Sequence, residues 1–520
     1  MRAADLRSSP ARLGRARLPD FDPARAETVG RGAIFVAIAV LAGVGAAVSP
    51  WALAVGAVAV LGVWLVAYRD RPQRVFNVAL VALLLGYALF GRGLAHVGVP
   101  PVYVGEVVLA LGIVAMLFSV RTLRGGPIRW LIVAFMVWGA LRTIPYIGQY
   151  GVDAFRDAVT WGYALFALFV SLMVTSRQFR RILGIYRALI PFYLLWVPLT
   201  LIASRVAPGY PGGIDALIAP KPGDMGVLLA GIAAFALLGL YSAAPKPRVP
   251  ESIMWLLWLP AAGVVAIFNR GGMVAMVTAG AALLFLRLPR RWLPPVFMTV
   301  LIAVLLLAVD PRLDIGQGRT LSVGQVVDNV TSVITDTGDP ALEGTKEFRL
   351  KWWSDIINYT VFGPYFWTGK GFGINLADAD GFQVYADHSL RAPHNGHLEI
   401  LARMGVPGLL LWILLNAAIG VGLLRAASRA RSMGRLRWVA IDGWLFVAWA
   451  AALVNASFDP SLQGPHAGIW FWSMVGLAIA AIEASTRSVK DEVPEPAGAE
   501  GSGTDHARAP RSAGPVPRPA

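Results

Sequence analysis

Apolar residues fall in long blocks nearly free of charge. Fourteen can be marked: 33–48, 51–68, 75–90, 102–120, 128–141, 158–175, 182–203, 225–242, 253–268, 271–286, 292–309, 406–424, 439–455 and 467–483. Such blocks are candidates for membrane helices, although several fall short of the roughly 20 residues a helix needs to cross. These must draw on flanking residues or pair as tight hairpins. If the N-terminus is cytoplasmic and the spans alternate, the inside segments collect Arg69, Arg71 and Arg74, then Arg121, Arg124 and Arg129, then Arg177, Arg180 and Arg181. Further along they collect Lys246 and Arg248, Arg287, Arg290 and Arg291, and the run Arg425, Arg429, Arg431, Arg435 and Arg437. The short outside loops hold only Arg92, Arg142, Arg156, Arg205, Lys221 and Arg270. This is the positive-inside asymmetry, and dropping one block would reverse every later loop. The pattern predicts an all-α polytopic membrane protein with about 12–14 transmembrane helices and both termini in the cytoplasm.

The polar remainder divides the chain. Residues 1–30, rich in Arg, Ala and Pro, and 487–520, rich in Pro, Ala, Gly and Ser, read as disordered cytoplasmic tails. Between them lie a first transmembrane bundle (31–309), a large extracytoplasmic loop (310–396) and C-terminal transmembrane helices (397–486). Within the loop, Phe348, Trp352, Ile356 and Tyr359 recur at helical spacing, with Lys346, Glu347 and Lys351 elsewhere around the barrel. That face fits a helix lying at the membrane interface, and equally one packed on a small core of the loop itself.

Composition agrees with the blocks: 56% of residues are hydrophobic and only 15% charged, which excludes a soluble enzyme. A net charge of +15 would otherwise point to nucleic acid, but most of it is topological. With no cysteine there are no disulfides, thiol nucleophiles or cysteine-bound metals.

Polar groups near a membrane are costly and mark candidate chemistry. The densest stretch is Pro393-His394-Asn395-Gly396-His397-Leu398-Glu399, running through Arg403 to Gly405-Val406-Pro407-Gly408. Pro393 suits a helix start, and the Gly-Val-Pro-Gly sequence suits a break as the segment enters the membrane. A helix over 394–405 would align His394, His397, Leu398 and Leu401 on one face and pair Glu399 with Arg403 on the other. A histidine here can serve as a general base near neutral pH; the alternative is a buried, hydrogen-bonded histidine at a helix start. As metal ligands, His394 and His397 lack a third partner at recognisable spacing. The second candidate is Phe268-Asn269-Arg270-Gly271-Gly272, the turn of a tight hairpin. Arg270 there is suited to holding phosphate oxygens, or it snorkels to anchor the hairpin. Lys221, in Pro220-Lys221-Pro222-Gly223-Asp224, falls on the same side.

Taken together these motifs resemble a family. Asn269-Arg270-Gly271-Gly272 in a hairpin, Phe348-Arg349-Leu350-Lys351-Trp352-Trp353, Thr368-Gly369-Lys370-Gly371-Phe372-Gly373, and His394-Asn395-Gly396-His397-Leu398-Glu399 followed by Gly405 and Gly408 resemble the O-antigen ligase and O-antigen polymerase superfamily. The resemblance is most specific from about residue 340 to 412. It implies a bacterial plasma-membrane glycosyltransferase of the helical GT-C kind, inverting, and working on the outer face without metal, nucleotide sugar or other cofactor. The donor would be a glycan on a polyprenyl diphosphate, usually undecaprenyl diphosphate, and the acceptor a glycan or glycolipid. His394 would be the general base and Arg270 the diphosphate clamp, with Lys221, Arg349, Asn395 and His397 among the substrate-binding residues. The chain departs from the family in having Asn269 where serine is usual and fourteen blocks where ligases have about twelve spans. A transporter or flippase of lipid-linked glycans is the competing class, and an envelope scaffold a third. The preference for Arg over Lys fits a GC-rich genome and tilts the expectation toward a polymerase-like or non-lipid-A transfer.

Overall fold

A computed structural model describes residues 72–99, 102–119, 125–209, 216–243, 247–285, 313–314, 320–321 and 340–486. The blocks expected at 33–48, 51–68 and 292–309, and both tails, lie outside the described residues. Within them the chain is helical apart from two antiparallel pairs of two-residue strands. Its main helices are α1 (Pro72–Phe90), α2 (Val104–Ser119), α3 (Pro127–Thr143), α4 (Val152–Gly162), α5 (Ala164–Met173), α6 (Ser176–Val206), α7 (Pro222–Leu237), α8 (Glu251–Phe268) and α9 (Arg270–Phe285). After these come α10 (Pro340–Val361), α11 (Leu376–Asp380), α12 (Gly396–Ser432), α13 (Leu436–Ala456) and α14 (Pro465–Thr486).

Seven of the described helices are long and apolar enough to cross a membrane, and four more are shorter and apolar. The chain is therefore an all-α, multi-pass membrane protein, and each expected block within the described residues coincides with one of these helices. One block, 158–175, is divided at Tyr163 into α4 and α5. Arg129 pairs with Glu483 at 2.6 Å, Arg435 donates to the Ser485 carbonyl at 3.2 Å, and Phe179 meets Trp438 with ring centroids 5.7 Å apart. These contacts gather one set of helix ends. Arg142, Lys221, Asp224 and the 340–395 segment gather at the other.

α7 is apolar around its whole circumference and buried almost throughout, so it forms the centre of the bundle, against α9 and α13. Glycines let it approach α9: a Cβ on Gly226 would stand 2.6 Å from Gly272 Cα.

The 340–395 segment has its own core. Trp352 and Ile356 of α10 pack with Leu376, Ala377, Phe382 and Leu390, and with Leu401 and Ala402 of α12. The Trp352 ring stacks on Phe382 at 5.2 Å and its indole donates to Asp380 at 2.6 Å. Of the two expectations for the Phe348–Tyr359 face, the structure takes the second: the face closes a core instead of lying on lipid.

The glycine-rich motif at 368–373 straps this core to the bundle. α12 breaks at Gly405 (φ 68°, ψ −171°), where a sequence break was expected. An unbroken helix would bond Val406 N–H to the Ala402 carbonyl and residue 407 to the Arg403 carbonyl. Instead Val406 donates to Phe366 O (2.8 Å), and Pro407 has no N–H to give. The two freed carbonyls accept from the strap, Lys370 N–H at 2.7 Å and Gly371 N–H at 3.0 Å. Gly371 sits at φ +80°, and a Cβ there would meet Tyr146 at 2.1 Å. Gly371→Ala is expected to cost about 2 kcal/mol or more, from strain and overpacking together. Thermal unfolding in detergent checks this, and an unchanged midpoint would show that the strap can move aside.

Candidate functional site

The expected site residues converge where the N-termini of α7, α9, α12 and α14 meet. Asn269, extended between α8 and α9, caps α9: its Oδ1 accepts from Gly272 N–H at 2.7 Å. Serine and asparagine are both favoured N-caps, which accounts physically for Asn269 at a position where serine was expected. Arg270 is thereby fixed in the first turn of α9. A Cβ on Gly271 would lie 3.5 Å from Asn455 Oδ1, and one on Gly272 3.0 Å from the Pro222 carbonyl, so the neighbouring helix starts are held close.

His394 does not belong to the helix. α12 begins at Gly396, and Asn395 caps it by accepting from His397 N–H (3.0 Å) and Leu398 N–H (3.1 Å). The expected alignment of His394 with His397 on one helical face is thus corrected. His394 lies before the cap in the left-handed region (φ 54°), sparsely populated for residues other than glycine. Trp353 of α10 donates to the preceding Pro393 carbonyl at 2.7 Å. Arg349 is one turn earlier than Trp353, so α10 turns one face into the loop core and brings the other to His394.

His397 points elsewhere. Its Nδ1 accepts from Trp412 Nε1–H at 3.0 Å, so Nε2 carries the proton and donates to the Leu453 carbonyl at 3.0 Å. With both ring nitrogens committed, His397 ties α12 to α13 and has none to offer a substrate. Asn395 is engaged at its side-chain oxygen, which caps α12.

Electrostatics define the centre. Burial first, and then the positive charges of Arg349 and Lys221, push the His394 imidazole down to about 4, so the ring is neutral at physiological pH. Burial also lowers Arg349, assisted by the charge of Arg270 and opposed by Asp459. Arg349 and Lys221 thus act on His394, and Arg270 acts in turn on Arg349. Lys221, the residue before α7, contacts Asp459 directly. Asp224, in the first turn of α7, stands 3.0 Å from His466 Nε2 and accepts from Asn455 at 3.4 Å. Four helix N-termini add partial positive charge, roughly half a unit each. The arrangement can hold an anion with several oxygens beside a neutral imidazole.

Sequence reasoning missed Asp459, Asn455, Asp224 and His466. The available signal was the polar link 456–466 between two apolar blocks, which the alternation puts on the same side as the large loop.

A second polar cluster stands behind the site. Arg403, fully buried, donates to Glu399 at 2.9 Å and stands 3.0 Å from Asp157 of α4. Arg391 reaches the same Asp157 carboxylate at 3.0 Å, and Gly373 N–H donates to it at 3.1 Å. The expected Glu399–Arg403 pair is present and extended by Asp157 and Arg391, joining α4, the strap and α12.

No curated protein matches the chain. Residues 255–413 match the family model described as O-antigen ligase. The matched stretch carries Arg270, Arg349, the strap and His394, while Lys221 and Asp459 come from outside it. Over this stretch, within a multi-pass helical fold, the chain is similar to the O-antigen ligase family, whose role is glycan transfer in a membrane.

Proposed function

We propose that the protein is an inverting, metal-independent glycosyltransferase that moves a glycan from a polyprenyl diphosphate, such as undecaprenyl diphosphate, to a sugar hydroxyl at the extracytoplasmic face of a bacterial plasma membrane. One observation carries this reading: His394, kept neutral by burial and by the charges of Arg349 and Lys221, lies just before the α12 cap, with Arg270 acting on Arg349. The acceptor hydroxyl attacks the anomeric carbon and gives its proton to His394. The bond from that carbon to the diphosphate oxygen breaks on the opposite face, inverting the centre. The departing diphosphate gains negative charge, which Arg270, Arg349 and Lys221 stabilise more in the transition state than before it. Asn395 and His397 position His394 by fixing the start of α12. The gathering of these groups at one end of the bundle favours an enzyme over a carrier, whose polar groups belong near the midplane.

The test is transfer between two lipid-linked glycans by the purified protein in nanodiscs. New glycosidic bonds support the reading, and glycan movement without them supports the carrier. The arginine-rich composition tilts the reading toward a polymerase-like or non-lipid-A transfer, with mass analysis of lipid-linked glycans in a deletion strain as the check. Single repeats accumulate if the protein is a polymerase, full-length lipid-linked polymer if it is a ligase.

The pH dependence has a definite sign. A base is lost when protonated, so kcat/KM, which reports the free protein, should fall with decreasing pH only near pH 4, where His394 titrates. Bound diphosphate offsets the field of Arg349 and Lys221 and raises the His394 pKa. The acid limb of kcat should then lie at higher pH than that of kcat/KM. Coincident limbs, or the reverse order, would remove His394 as the base.

A further inference from the structure

At the opposite, arginine-rich end of the bundle, α12 and α13 enclose a cleft of about 170 Å³. At about 30 Å³ per water this holds more than one solvent molecule. Leu423, Leu424 and Phe446 form apolar walls, and Ser428, Arg431 and Asp442 are the polar lining groups. Asp442 is fully buried, and neither carboxylate oxygen has a hydrogen-bond partner. Ser485 lies nearby on α14, but its hydroxyl donates to the Ile482 carbonyl at 3.3 Å, and Arg435 donates to the Ser485 carbonyl at 3.2 Å. The Ser485 hydroxyl and the Arg435 charge act on the carboxylate from nearby, but no hydrogen bond closes on either oxygen, and a buried carboxylate so placed in a membrane protein marks a site.

We infer that this cleft binds the headgroup of a phospholipid bearing a primary ammonium. The ammonium would donate to the two Asp442 oxygens and the phosphate would meet Arg431 and Ser428 at the exposed rim. An acyl chain would follow Leu423, Leu424 and Phe446. The opposite charges on one cleft match a zwitterion. A divalent cation would need six or more oxygen ligands, which this lining does not supply. A quaternary ammonium carries no N–H and would leave the Asp442 oxygens unsatisfied. The site is remote from His394 and independent of the transfer chemistry.

The full chain is reconstituted in nanodiscs of equal phosphatidylethanolamine and phosphatidylcholine and extracted into detergent, and retained lipid is counted by native mass spectrometry. Wild type is expected to keep phosphatidylethanolamine over phosphatidylcholine by about tenfold, the equivalent of one charge-assisted hydrogen bond. Asp442→Asn should bring that ratio toward one. Ser428→Trp, which fills the cleft from its exposed rim and leaves Asp442 intact, should lose the retained lipid and carries the test if the first variant misfolds. Equal retention of the two lipids by wild type overturns the inference. An unchanged preference in either variant overturns it too.

Discussion

Replacing His394 with alanine should lower glycan transfer by about 10²- to 10⁴-fold, the usual contribution of a positioned general base. The protein should still insert and fold, because His394 lies before the α12 cap and Asn395 holds the helix start without it. Donor binding should change little, since the cations that meet diphosphate are Arg270, Arg349 and Lys221. An imidazole kept neutral by burial and by the charges of Arg349 and Lys221 is suited to accept a proton just as the diphosphate's negative charge arrives, because that charge raises its basicity. The measurement is initial transfer rate in nanodiscs alongside donor affinity. A rate within about threefold of wild type would mean that the proton goes elsewhere.

Arg403→Met should destabilise the protein by about 3–5 kcal/mol, the cost of removing one partner from a buried ion network. Arg403 is 0% exposed, and its partners Glu399 and Asp157 are nearly as deeply buried. Without the guanidinium, two carboxylates would share an apolar interior, with only Arg391 left to answer Asp157. The network joins α4, the strap and α12, so the 340–395 core should loosen before the rest of the bundle. Thermal unfolding in detergent reads the global loss, and hydrogen exchange over 366–395 reads the local one. Wild-type values in both would show that the network is dispensable. Substituting methionine for Arg403 together with Asp157→Leu and Glu399→Leu should recover part of the loss, because no buried carboxylate remains and Arg391 keeps Asp153 at 3.5 Å.

Much of the site was legible along the chain because its parts are short-range devices. Asn269-Arg270-Gly271-Gly272 is a cap, a cation and two close-approach glycines, each recognisable by residue type. In the α10 motif Arg349 and Trp353 flank the apolar face of Phe348 and Trp352, and the periodicity announces the helix. Periodicity cannot choose between lipid and protein as the cover for the apolar face, since both reward burial equally. The choice fell to Phe382 and Asp380, about thirty residues away, which satisfy the ring and the indole N–H of Trp352. His394 shows the opposite error. Periodicity extends the helix back through it, but a capping asparagine takes the first amides and the helix starts two residues later, at Gly396.

Sequence alone determined the membrane class, the positions of the described apolar helices and the order of the family's motifs. These follow from local composition, because burying a polar backbone in lipid leaves helices as the available solution for long apolar segments. Tertiary structure decided which charges meet. Lys221 and Asp459 are 238 residues apart, and so they pair only because α7 and α13 pack side by side. It also separated two histidines three positions apart, leaving His394 neutral among cations and committing His397 to Trp412 and Leu453. Burial and field are sums over neighbours that the linear chain does not specify, and they set the chemistry of this site.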